Sequence, residues 1–171
     1  VGLTARLVLA ASAIAGTTIA NQMGLGFAMA VDPAQGQQGA LIGNFLNLMA
    51  ITMIFAMDLH HLAIRGMSDS FALFPPGDMM PIGDFAKAGT DFIADAFRIG
   101  VLVAAPFLIF GVVFNFGVGL LQKLMPQFQV FFIAMPASIL LGFVLLFLLI
   151  GTLMTFYMDH VTDVLGRLIA G

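Results

Sequence analysis

Charged residues divide this chain into four long windows that contain none. Arg6 to Asp32 encloses 25 residues, Asp32 to Asp58 another 25, Arg98 to Lys123 encloses 24, and Lys123 to Asp159 encloses 35. Roughly 20 apolar residues in helix cross the hydrocarbon core of a bilayer. The first, third and fourth windows reach that length. The second is weaker, because its apolar part, Ala40 to Met57, carries Asn44, Asn47 and Thr52. A water-facing coat is also out of reach: 61% of the residues are hydrophobic and 9% charged, against about 45–50% and about 25% in soluble domains. The outer surface must therefore meet lipid or other apolar chains. Because backbone polar groups in lipid have to be satisfied within the protein, these windows predict an all-α membrane protein of one domain over residues 1–171.

Helices are expected over 3–30, 38–66, 84–122 and 130–168, with breaks near Asp32-Pro33, Pro75-Pro76 and Pro126-Gln127, where proline removes donors and disfavours helix before it. Small residues recur every four positions along the first of them, at Ser12, Gly16, Ala20, Gly24 and Ala28. Such a stripe lets a second backbone approach closely. Gly111, Asn115 and Gly119 repeat it in the third window, and Ala134, Ser138 and Gly142 in the fourth. The helix opening at Asp84 starts amphipathic, with Asp84/Lys87, Lys87/Asp91 and Asp95/Arg98 spaced to pair on one face. The chain opens Val-Gly-Leu-Thr-Ala-Arg, without an initiator Met or a basic leader, and reads as lacking its natural N-terminal part.

Little in the sequence points to chemistry. His60 and His61 follow Asp58, but adjacent helical residues point about 100° apart, and no Cys, Glu or HxxxH completes a ligand set, so no metal site is expected. A helix end near the interface suits the pair better. Asn21, Gln22 and Asn115 interrupt apolar windows, where an amide should bond a neighbouring helix or line water. No serine has a paired His or Lys, phosphate-loop and dinucleotide fingerprints are missing, and Gly24-Leu-Gly26 is too short to count. No catalytic or cofactor-binding residue is expected. A net charge of −3 offers nothing to nucleic acid. Twelve Met and eighteen Phe suit lipid contact and core packing, or a deformable seal.

Three segments together resemble the FliR/SctT family of flagellar and type III secretion export-gate proteins. They are Ile19-Ala-Asn-Gln-Met-Gly-Leu-Gly-Phe-Ala-Met-Ala-Val-Asp-Pro33; Asp58-Leu-His-His-Leu-Ala-Ile-Arg65 with Ser70-Phe71 and Pro76-Gly77; and Ala105-Pro106 through Asn115 to Gly119-Leu-Leu-Gln-Lys-Leu-Met-Pro-Gln-Phe-Gln-Val-Phe131. Two departures stand out. The family usually has Asn-Gly-His where this chain has Asp58-Leu59-His60, and Arg where this chain has Lys123 before Pro126-Gln127.

The resemblance implies a non-enzymatic pore subunit whose four long, partly broken hydrophobic helices form bent hairpins. Its implied partners are FliP-like, FliQ-like and FlhB-like gate subunits, unfolded exported proteins and the lipid bilayer. The implied place is the bacterial inner membrane, within the flagellar basal body or an injectisome. It also sets the loop from Gly26 to Gly39 at a constriction, where Phe27, Met29 and Val31 would seal a lumen and Asp32-Pro33 would turn the chain; the same residues also read as an ordinary interhelical turn. The alternative is a small-molecule or ion-coupled transporter with Asn21, Asp58 and His60 lining a midplane site. A transporter of that kind should carry an internal repeat, and none is evident.

Overall fold

The computed structural model describes residues 2–26, 38–73, 82–125 and 130–170. Among these residues every regular element is helical: α1 (Gly2–Gln22), α2 (Gln38–Ala56), α3 (Leu59–Leu73), α4 (Ile82–Leu124) and α5 (Val130–Ala170). The last two lie within two residues of the expected ends. At about 1.5 Å rise per residue, the 43 residues of α4 extend about 64 Å and the 41 of α5 about 61 Å. Both are roughly twice the thickness of a bilayer core. Two stretches, Gly89–Leu124 and Phe132–Gly166, are long and apolar enough to cross a membrane.

Two expected helices end or break early, each at a backbone with positive φ. α1 stops at Gln22 rather than continuing to residue 30. Gly24 adopts φ +83°, the Gly24 amide donates to Asn21 O at 3.1 Å, and the Leu25 amide donates to Ala20 O at 3.0 Å. That pair of bonds is a Schellman cap, which needs a left-handed residue at Gly24's position and so selects glycine there. The expected single helix over 38–66 is in fact two. Asp58 sits at φ +57°, and the segments Leu41–Ala56 and Leu59–Ser68 are bent by 78°. Aspartate tolerates the left-handed region better than most residues, which makes it a workable corner.

The core is organised around α1, which packs against α2 and α4 along its length. Ala11, Ala15, Ile19, Ala20 and Met23 are all buried. One side of α1 is thus packed within protein, and its small side chains let neighbours come close on more than one face. Further along, Phe107 from α4 and Tyr157 and Met158 from α5 fill the interior. The Tyr157 hydroxyl donates to Val8 O at 2.6 Å and ties α5 to the start of α1.

Candidate functional site

Close backbone contact defines the seam around α1. A Cβ built on Gly16 would collide with the Gly43 backbone of α2. One on Gly100 would lie 2.9 Å from Ile14 Cβ and 3.0 Å from Ala11 O. Ser12 is buried beside them; its hydroxyl lies 2.7 Å from Leu9 O and 3.4 Å from Asn47 Oδ1. This offers one of α2's window-weakening amides a polar neighbour on α1. The stripe Ser12, Gly16 and Ala20 therefore meets helices of its own chain.

Polar groups gather where α1 ends. Asn21, Gln22, Gly24, Phe114, Asn115, Val118, Ala134, Met135 and Ser138 line a cavity of about 210 Å³. Gly111 leaves the room that Gln22 occupies, since a Cβ there would strike the Gln22 amide oxygen. Asn115 Nδ2 donates back along its own helix to Gly111 O at 2.8 Å. The Ser138 hydroxyl lies 2.8 Å from Met135 O and 3.2 Å from Met23 O, under the Gly24 cap. Gly142, in turn, makes way for Met23. Asn21, Gln22 and Asn115 thus converge on one partly polar space, which suits amides that are costly to leave unpaired in an apolar setting.

Other expected positions separate. Gly119 is exposed with nothing near its would-be Cβ, and Lys123 is exposed at the end of α4. Phe27, Met29, Val31, Asp32, Pro33, Pro126 and Gln127 lie outside the described residues. Asp58 and His60 sit at the α2–α3 corner and are not part of the cavity that Asn21 lines. Among the described residues, Lys87–Asp91 and Asp95–Arg98 do not close into the ion pairs their spacing allows. Asp95 and Arg98 instead line a groove of about 440 Å³ with Asp159 and His160 of α5. Sequence reasoning passed over Gly43, Gly100 and Tyr157. The available signals were a glycine inside each apolar helix and the chain's single tyrosine inside an uncharged run.

Large apolar side chains remain bare along the later part of α4. From Val112 to Leu124 no residue is buried, and Val112, Val113, Phe116, Leu120, Leu121 and Leu124 are exposed. The facing part of α5 exposes Phe132, Ile133, Leu140 and Leu141.

These features define a class: a helical integral membrane protein held by close backbone contact and neutral polar groups, with wide apolar faces left for neighbours. Residues 1–164 match the family model for bacterial export proteins, family 1, and the chain belongs to that family. Its relatives include the flagellar biosynthetic protein FliR of Caulobacter vibrioides, 34% identical across 96% of this chain and 66% of that protein. The FliR of Bacillus subtilis is 33% identical across 85% of this chain and 57% of that protein, and the FliR of Escherichia coli 27% identical across 99% and 64%. The chain thus spans less than two thirds of the length of each of these three relatives.

Proposed function

We propose that this chain is part of a pore-forming structural subunit in a bacterial flagellar or type III export gate, through which unfolded proteins cross the inner membrane. The observation that carries the proposal is the solvent-exposed apolar surface of α4 beyond Gly111, continued on α5 by Ile133, Leu140 and Leu141. The uncharged run 130–158 in α5 would extend about 43 Å as helix, more than the roughly 30 Å that lipid tails cover. Neighbouring apolar helices cover such a surplus, and FliP-like, FliQ-like and FlhB-like subunits are the partners in this reading. Membership of the export family supports it. The segment Phe27 to Gln35 acts as the closure of the pore, because a gate that stops ions yet admits a chain needs a soft apolar seal. The transporter alternative needs Asn21, Asp58 and His60 at one site, and those residues do not share a cavity.

Affinity purification of the full-length protein from its own membranes tests the proposal. Unlike, FliP- and FliQ-type subunits should elute with it in fixed ratio. A monodisperse single-subunit particle that takes up a small solute in vesicles would overturn it.

A further inference from the structure

The corner between α2 and α3 gathers three metal-ligating side chains. Asp58, His60 and His61 each offer a donor atom, and those atoms lie within 4.8 Å of one another. The fold achieves this through the left-handed backbone of Asp58, which swings its carboxylate over the first turn of α3. Asp58 Oδ1 then stands 3.7 Å from His61 Nδ1. The expectation that neighbouring imidazoles diverge fails here, for the His60 and His61 rings lie with centroids 4.1 Å apart and tilted by 41°. Phe55 packs against the other ring neighbour, its centroid 5.0 Å from that of His60.

A second observation is independent of the clustering. His60 Nδ1 is shielded from solvent and has no hydrogen-bond partner. A buried polar nitrogen without a partner is uncommon and calls for an explanation, a bound ion among them. We propose that Asp58, His60 and His61 form a binding site for a divalent transition-metal ion of the zinc class, which braces the 78° bend between α2 and α3.

The donor set selects the ion. Two imidazoles and one carboxylate suit zinc, copper or nickel, whereas magnesium and calcium require mostly oxygen. Bound at about 2.0–2.2 Å, tetrahedral donors stand about 3.4 Å apart, so the present separations must close slightly. The side chains of Asp58 and His61 are 79% and 71% exposed, and so are free to rotate inward. Three protein donors leave a fourth position for water. The N-terminal end of α3 opposes a cation, and the Asp58 carboxylate is the group that offsets it. Asp58 therefore matters most to affinity.

Zinc titration into the detergent-purified full-length protein, followed by calorimetry, tests the site. One equivalent should bind with low-micromolar affinity or better and raise the melting temperature. His60→Gln and His61→Ala should each weaken binding about ten-fold or more, and Asp58→Asn, which keeps a residue tolerant of the corner geometry, should weaken it further. Cobalt should give the visible absorption of a four-coordinate nitrogen–oxygen site, lost in Asp58→Asn. Absence of saturable binding, or binding and cobalt spectrum unchanged in Asp58→Asn with native helicity, would overturn the proposal. Retention in a His60→Gln/His61→Ala double variant would do the same by placing the ion elsewhere.

Discussion

Gly16 and Tyr157 show how much rests on single atoms in this interior. At Gly16 any added carbon meets the Gly43 backbone, which cannot rotate aside as a side chain can. Gly16→Leu should therefore force α1 and α2 apart and cost about 1–3 kcal/mol or more, as overpacking of a tight contact does. A drop in the detergent melting temperature, with less monodisperse protein in size-exclusion chromatography, checks this. Gly119 provides the contrast, because nothing surrounds it in this chain. Gly119→Leu should leave the chain's own melting within about 0.5 kcal/mol of the original, as exposed positions do. If Gly119 faces another subunit, as its place in a small-residue stripe suggests, co-purification of partners should fall instead. Tyr157→Phe keeps the ring and removes the hydroxyl with its 2.6 Å bond to Val8 O. It should cost about 0.5–1.5 kcal/mol, because the Val8 carbonyl loses the hydroxyl while keeping its intrahelical amide; an unchanged melt would show that water takes the hydroxyl's place.

Among the elements, the α2–α3 corner of the metal-free protein responds to backbone chemistry. The left-handed conformation costs a non-glycine residue about 1–2 kcal/mol, and aspartate less than most. Asp58→Val should be worse than Asp58→Gly, since a β-branched side chain suits that region poorly. The expected outcome in chelator-treated protein is a wider spread of distances between spin labels at Leu48 and Ile64 in the valine variant, with the glycine variant keeping the parent's distribution. The corner was not legible beforehand because an apolar helical period runs across it, and an aspartate reads equally well as a surface residue. The end of α1 was partly legible. Gly24 appeared as one more member of a stripe, while its positive φ and the two capping bonds make it the residue that stops the helix. The long spans α4 and α5 were legible almost to the residue, because uncharged runs of that length have few other solutions.

For the molecule as a whole, the apolar arm of α4 and α5 predicts that the chain does not persist well by itself. Expressed without unlike gate subunits it should aggregate or degrade, and partner co-expression should raise its yield; a sharp cooperative melt of partner-free monomer would contradict this. The closure proposed at Phe27 to Gln35 has its own test in the full-length protein. Its deletion should raise ion leak across the membrane while leaving partner co-purification near its original level. Conductance equal to the unmodified complex, with assembly confirmed, would place the closure elsewhere.

Spacing of charge, apolar composition and the proline breaks determined that this chain is helical, that it belongs in a membrane, and where its two longest helices run. These conclusions follow largely from one constraint, the cost of charge and of unpaired backbone in hydrocarbon, which acts along the chain and leaves its mark in local order. Three ordered motifs then supplied the resemblance to the export family. Only the tertiary structure decided which small residues touch. Gly16 meets Gly43 and Gly111 makes room for Gln22, while Gly119 faces open space, although all belong to similar stripes. It alone brought Asn21, Gln22, Asn115 and Ser138 around one cavity, and Asp58, His60 and His61 to one corner. Those meetings depend on how helices cross and where a backbone takes positive φ, and neither periodicity nor composition encodes a crossing.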